Sequence, residues 1–451
     1  MTTTAAQPKT ASAGTGERAG QGHVGLVVLG TIAAGLVVGL VLVLSVFAGG
    51  AEHQILGGAL VALGSGFVLL AAASRHLTDQ PQRWAGPPGA ASILAGVAVL
   101  VLAPGDRVLG LAGWVWPMLL LALVGWSVRG ARRSLHNWSR RALVYPSLLV
   151  LLLVAGGGAF QTLAAATSRN AAPGGRTYLV NGHRLYMRCV GRGAPTVVLF
   201  NGLGERTPSW AWVQRGVSST ARVCAFDRAG EGWSGASSGG QDGHELAADL
   251  HQLLRVAHVP GPYVLAGHST GGVYGLAYAA QYPQEVAGIA LIDSATPYQF
   301  DLPDYPGFYS MWRRGSAVVP SLARAGLARL TSGTSFSTLP PLARREARAF
   351  ASSPRELRAD RVEFAELPTV FDQAKALKSL DGKPLAVVTA AVGSQHGWFA
   401  AQKKLARLSR ASVQRTVVGA THSALLEDKG FAWFTSGAIT QVVQVARSGR
   451  R

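Results

Sequence analysis

Five apolar stretches without a single Asp, Glu, Lys, Arg or His fill the first part of the chain, at about residues 24–48, 54–73, 88–105, 108–128 and 142–166. Each approaches or exceeds the ~18–20 residues a helix needs to cross the hydrocarbon layer of a bilayer, so the pattern predicts about five transmembrane helices. Only Pro104-Gly105-Asp106-Arg107 separates the third from the fourth, which makes these two a tight hairpin or a re-entrant pair. The first stretch is long and is followed by further spans, unlike a cleaved signal peptide. Beyond residue 166 the periodicity changes. Residues 167–175 are small and turn-forming, as in a linker, and residues 177–190 have strand character on both sides of Asn181-Gly182, a hairpin signal because both positions accept positive φ. Short β-rich apolar runs follow at 196–200, 222–226, 263–267, 288–292, 385–389 and 412–418. Helical spacing lies between several of them, for instance Leu246, Leu250, Leu253, Leu254 and Ala257. Strands alternating with helices predict an α/β fold, a mostly parallel sheet covered on both faces. From residue 297 to 371 the alternation stops, and an aromatic segment followed by Arg-rich helical stretches predicts an inserted helical cap.

Charge sharpens this division. Residues 1–170 hold 11 Lys+Arg and 4 Asp+Glu, whereas residues 171–451 hold 31 and 19. The organisation expected is a cytoplasmic tail (1–23), a transmembrane region (24–166), a linker (167–175) and a catalytic-type domain (176–451) with its cap at 297–371. Nine Lys or Arg fall in the tail and alternate loops, namely Lys9, Arg18, Arg75, Arg83, Arg129, Arg132, Arg133, Arg140 and Arg141, against Arg107 alone in the others. The positive-inside rule then puts the tail in the cytoplasm, and an odd number of spans puts the large domain outside. Spans without ionisable side chains argue against a transporter or pump. Their glycines, as in residues 35–39, suit close helix packing better than a pore. The formal charge of +19 does not indicate nucleic acid: 35 Arg against 7 Lys are scattered along the chain, with no basic run interleaved with aromatics. Residues 311–362 carry ten Arg and three acids, a cap surface that is either simply solvated or faces anionic lipid or an acidic substrate.

The chemistry-bearing motif is Gly267-His268-Ser269-Thr270-Gly271, between an apolar strand and a helical run. G-x-S-x-G at a strand-to-helix turn is a nucleophile elbow, its glycines relieving crowding so that the serine hydroxyl can stand exposed on a strained turn. A serine needs a base to become nucleophilic. His422, on the loop after the last strand, has the position for that, with His396 as the other candidate. Gly230-Glu231-Gly232-Trp233-Ser234-Gly235 matches a dinucleotide-binding fingerprint, but it runs into a Ser/Gly stretch rather than a helix whose N-terminus would hold a phosphate.

Over residues 176–451 these features resemble the α/β-hydrolase family. The resemblance is carried by Asn201-Gly202-Leu203-Gly204, by residues 227–234 (DRAGEGWS), by the elbow and by His422. It implies an eight-stranded sheet, a Ser269 nucleophile, a His422 base, and an oxyanion held by the backbone amides of Leu203 and Thr270. The family often has His where Asn201 stands. Members commonly place the acid after the seventh strand, but no Asp or Glu occurs between Asp381 and Glu427. Asp293 ends the sixth strand, a place from which some lipases of this fold supply the acid, so the resemblance implies it as the acid; Asp301, Asp304 and a serine–histidine pair without an acid stay open. In this fold the second and fourth strands adjoin, so Cys189 and Cys224 are expected to form a disulfide in an exported domain.

The function expected is a membrane-anchored serine hydrolase acting on a small-molecule or lipid ester, as a carboxylesterase or lipase does, with membrane lipid as its surroundings and no nucleic-acid partner, metal or organic cofactor. A serine at the elbow argues against haloalkane dehalogenase or epoxide hydrolase chemistry, which uses an aspartate nucleophile. Peptidase and acyltransferase activity remain open, as does a non-enzymatic membrane binding or sensing module, although such a module has no need of a strained elbow.

Overall fold

The computed structural model describes residues 23–167, 174–236 and 241–449. The expected tail, most of the linker and part of the Ser/Gly stretch lie outside the described residues. The chain divides into two compact units, residues 1–156 and 157–451.

The first unit is helical: α1 (Val24–Val41), α2 (Glu52–Leu77), α3 (Gly86–Leu102), α4 (Asp106–Ala112), α5 (Trp116–Ser134), α6 (Trp138–Ala142) and the greater part of α7 (Tyr145–Thr167). Four helical stretches are long and apolar enough to cross a membrane: Val24–Val46, Glu52–Leu77, Arg83–Leu102 and Trp138–Thr167. The fourth expected span differs. It is broken into α4 and α5, which meet at 46°, because the Gly113-Trp114-Val115 turn precedes Pro117, which cannot donate a helical hydrogen bond. Glycines bring α2 and α3 together: a Cβ on Gly64 would stand 2.6 Å from Gly89 O, and one on Gly96 would stand 2.7 Å from Gly57 O. Backbone contact of this kind is how apolar helices gain packing where water supplies no drive.

The second unit is a three-layer α/β structure. Its strands are β1 (Arg176–Val180), β2 (His183–Val190), β3 (Thr196–Phe200), β4 (Val223–Asp227), β5 (Tyr263–His268), β6 (Val286–Ile292), β7 (Leu385–Val392) and β8 (Ser412–Thr421). They form one sheet in the order β1-β2-β4-β3-β5-β6-β7-β8. The β1–β2 and β2–β4 pairs are antiparallel, and the other pairs are parallel. As Asn181-Gly182 foretold, the first two strands are a hairpin whose turn residues have φ of 47° and 87°. β3 and β4 are buried along their whole length, as expected of strands covered on both faces.

The helices outside the cap are α8 (Ala211–Val217), α9 (Gly243–Val256), α10 (Thr270–Gln281), α16 (Trp398–Ala406), α17 (Ala424–Glu427) and α18 (Lys429–Ser448). Their order is interrupted between β6 and β7 by the cap, made of α11 (Tyr305–Gly315), α12 (Val319–Arg324), α13 (Leu327–Ser332), α14 (Pro341–Ala351) and α15 (Pro354–Ala374). One face of the sheet packs through Phe200, Leu265 and Leu291 on α9, α10 and α15, whose contributions include Leu250, Tyr274 and Phe371. The other face packs through Val197, Ala266 and Val388 on α8 and α18, with Trp210, Val213 and Ile439. Asp242 caps α9 by accepting from the backbone N–H groups of His244 and Glu245.

Cys189 and Cys224 are direct partners across the β2–β4 pair and are joined as a disulfide. Both thiols should therefore resist alkylation in the unfolded, unreduced protein and take up two alkyl groups after reduction, read by intact-protein mass spectrometry.

Candidate active site

The elbow is built by the absence of side chains. A Cβ on Gly271 would run into the carbonyl oxygen of Phe200, and one on Gly267 would stand 2.5 Å from Gly271 O, so β5, the start of α10 and the end of β3 approach one another only through glycine. Between the two glycines Ser269 has φ 53° and ψ −127°, a conformation costly for any residue with a side chain and held only because its surroundings over-determine it. Those surroundings are explicit: Ser269 N–H donates to Ile292 O at 3.2 Å, and Ala295 N–H donates to Ser269 O at 2.9 Å. The end of β6 is thus latched to the elbow on both sides of Asp293.

Asp293 is the acid that reaches the histidine. Its Oδ2 lies 2.6 Å from His422 Nδ1, while its Oδ1 accepts from Trp398 Nε1 at 2.8 Å and from Ala390 N–H at 3.1 Å. A carboxylate only accepts, so Nδ1 carries the hydrogen and Nε2 is left to receive a proton. Burial alone would raise the Asp293 carboxyl, but the bond and charge of His422 and the Trp398 bond outweigh it and hold the group below its ordinary value. β7 itself, through Ala390, and the acid-free stretch after it, through Trp398, supply the two donors that fix Asp293. Asp301, Asp304 and His396 are exposed and take no part in this pairing.

The oxyanion loop lies against the serine: a Cβ on Gly202 would stand 2.8 Å from Ser269 Cβ. Thr270 opens α10, so its N–H has no partner within the helix. Asn201 has a structural task in place of the family's histidine, its Oδ1 accepting from Trp210 Nε1 at 2.9 Å and its Nδ2 donating to Phe226 O at 2.9 Å. Arg228 reaches under the loop, donating to Asn201 O at 2.6 Å and to Gly202 O at 3.2 Å. In a trans peptide the N–H points opposite to the C=O, so holding Gly202 O from one side aims the Leu203 N–H to the other. Glu363 of the cap helix α15 completes the brace, accepting from Arg228 Nη2 at 2.6 Å and from the Thr270 hydroxyl at 3.2 Å.

Two buried groups behind the site escaped the sequence reading. His268 Nε2 donates to His422 O at 3.0 Å, and its Nδ1 lies 2.5 Å from Glu205 Oε1. Glu205 Oε2 in turn accepts from Gly202 N–H at 2.6 Å. The pair thus ties the oxyanion loop, the residue before Ser269 and the backbone of His422 together. Burial lowers His268, but Glu205 more than reverses this and raises it; burial raises Glu205, and the His268 charge more than reverses that too. Burial and the Glu205 carboxylate push nearby Glu427 up to about 7.

Further out, Arg206 pairs with Glu356 at 2.7 Å and Asp360 at 2.6 Å, and Arg228 pairs with Glu231 at 3.2 Å and Glu363. Four acids around two guanidinium groups cannot all ionise in a buried site. Burial pushes Glu363 up to about 8 against the pull of Arg228. Glu231, Asp360 and Glu363 converge closely enough to suggest a cation, but two arginines already occupy that place in the charge balance. The Gly230–Gly235 fingerprint folds as turns and does not open a helix.

Residues 195–347 match the family profile described as the alpha/beta hydrolase fold. The second unit has the α/β-hydrolase fold. The structure of the Cif epoxide hydrolase from Acinetobacter nosocomialis is similar to this chain at a TM-score of 0.52 and 14% identity, over 63% of this chain and 96% of that one. Haloalkane dehalogenase DbeA from Bradyrhizobium elkani USDA94 has a TM-score of 0.50 and 20% identity, over 60% of this chain and 99% of that one. A putative carbamate hydrolase, RutD, of Cronobacter turicensis is 31% identical over 102 residues, 22% of this chain and 38% of that protein. The chain spans between 15% and 48% of the length of the curated relatives it matches.

Two outcomes follow from the geometry. Asp293→Asn should lower turnover about 10³–10⁴-fold, the scale set by losing the charge that orients a catalytic imidazole; steady-state hydrolysis of an activated ester measures it. The Glu205–His268 pair should appear in the pH dependence of stability. His268 is raised above its ordinary 6.5, so its contribution is complete below that value and is lost as pH rises; Glu205 is held below its ordinary 4.5, so its contribution is complete above that value and is lost as pH falls. Glu205→Gln should therefore destabilise most near about pH 5.5, by about 3 kcal/mol, and less near about pH 9, in denaturant melts across that range.

Proposed function

We propose that the protein is a membrane-anchored serine hydrolase that cleaves an ester through an acyl-enzyme. The reading is carried by the 2.6 Å bond between His422 and Asp293, with the strained Ser269 latched to the same loop. Ser269 Oγ attacks the ester carbonyl while His422 Nε2 takes its proton. The Leu203 and Thr270 N–H groups receive the negative charge on the former carbonyl oxygen. Collapse of the tetrahedral intermediate expels the alcohol, which leaves with the proton from His422. Water, activated by the same imidazole, then releases the acid and restores the serine. An apolar acyl group is favoured because the cap carries an aromatic cluster, Phe308, Tyr309 and Trp312 packed about Phe364. The nine-to-one distribution of Lys and Arg and the Cys189–Cys224 disulfide support a catalytic domain on the outer side of a cell membrane.

A fluorophosphonate probe should label the protein in native membranes, and Ser269→Ala should abolish the labelling. An ester series of rising acyl length should then show Ser269-dependent hydrolysis. Labelling that survives in Ser269→Ala, or labelling without hydrolysis of any ester, would overturn the assignment.

A further inference from the structure

The last turns of α7 belong to the second unit and pack on the cap. Gly157 touches the turn between α12 and α13 backbone to backbone, since a Cβ on Gly326 would stand 2.6 Å from Gly157 O. One turn on, Gln161 is buried; its Nε2 donates to Ser352 O at 3.2 Å and its Oε1 accepts from Arg329 Nε at 2.6 Å. The Gln161 side chain thus faces the cap. The remaining faces of these elements are apolar and open: Leu322, Leu327 and Leu330 on α12 and α13, with Leu330 80% exposed, and Phe160 and Leu163 on α7 itself.

The level of this contact follows from helix geometry. α7 begins at Tyr145, just after Arg140 and Arg141. At about 1.5 Å per residue Gly157 lies about 18 Å and Gln161 about 24 Å along it, inside a hydrocarbon layer about 30 Å thick. The cap edge beside them would sit about 6–12 Å below the point where α7 leaves the hydrocarbon, close to the depth of about 5–10 Å at which amphipathic elements lie in a bilayer interface. Water-exposed leucines at that level would need a cover, and the lipid that surrounds Phe160 and Leu163 is continuous with them.

We propose that the α12–α13 edge of the cap is a membrane-contacting surface, with Leu322, Leu327 and Leu330 inserted among the lipids of the leaflet at the C-terminal end of α7. Arg324 and Arg329 fit the same placement, their apolar stems lying along the hydrocarbon while their guanidinium groups stay with polar partners or headgroups. The inference rests on reading α7 as a membrane span, and the test separates the two.

The full-length protein, whose own cysteines form a disulfide, is given a single environment-sensitive fluorophore through Leu330→Cys, with Leu322→Cys as a second site should the first fail to fold. Leu153→Cys in the middle of α7 and Val418→Cys, 85% exposed at the end of the sheet, are the references. Each protein is reconstituted in phosphatidylcholine–phosphatidylglycerol vesicles containing a lipid that carries a nitroxide near the headgroup. Quenching at positions 330 and 322 should exceed that at position 418 at least twofold, with the order reversed for aqueous iodide. Lipid quenching at Leu153 combined with purely iodide quenching at 330 and 322 would overturn the proposal. Absence of lipid quenching at Leu153 would overturn the membrane reading beneath it.

Discussion

The close approach of three backbones at the end of β5 governs the catalytic domain. Gly267 and Gly271 let α10 start within contact of the last residues of β3, and no side chain fits between them. From that approach come the strained φ of Ser269, the helix start that leaves the Thr270 N–H unpaired, and the nearness of Gly202 to the serine. The elbow is also the clasp for β6, through the paired backbone bonds of Ser269 with Ile292 and Ala295. Asp293, between those two, takes a positive φ of 40° and so turns its carboxylate toward His422. Strain at Ser269 is offset by its backbone bonds to Ile292 and Ala295 at the end of β6, which is how a small set of glycines can aim several side chains at one point.

Charge in the second unit is arranged as deliberately as its packing. The cap has many more arginines than acids, yet Glu356, Asp360 and Glu363, spaced at i, i+4 and i+7, turn one face of α15 inward to Arg206 and Arg228. Placing Arg228 beneath the oxyanion loop and Glu363 against Thr270 couples the cap to both backbone amides proposed to bind the oxyanion. A buried network of this kind is expensive to break, so it favours one position of the cap over others.

The Glu205–His268 pair belongs to the same design. It lies on the side of the elbow opposite to Arg228, binding the N–H of Gly202 where Arg228 binds the C=O of the residues around it. The loop is therefore gripped from both sides, and the backbone of His422 is held by the same imidazole that is paired with Glu205.

Much was legible in the sequence because its signals are local. The 181–182 hairpin, the strands from 196 to 418, the interruption by the cap, Ser269 and the loop position of His422 all follow from periodicity, turn chemistry and crowding within a few residues. Asp293 is implied by the resemblance, since some lipases of this fold supply the acid from the end of the sixth strand, but that it binds His422 across 129 positions depends on the order β6-β7-β8 in the sheet. Trp398, Glu205 with His268, and Arg228 with Glu363 had no signal of their own: they pair across 105, 63 and 135 positions, and no pattern in a linear chain encodes such distances. The break in the fourth apolar stretch was hidden for the same reason, because hydropathy averages over a Gly–Trp–Val turn that only the backbone reveals. Sequence alone determined which residues could do the chemistry and which segments are long and apolar enough to cross a membrane. Tertiary structure decided which acid, which braces and which face of the cap, because each is a contact between elements whose proximity is set by the order of strands in the sheet.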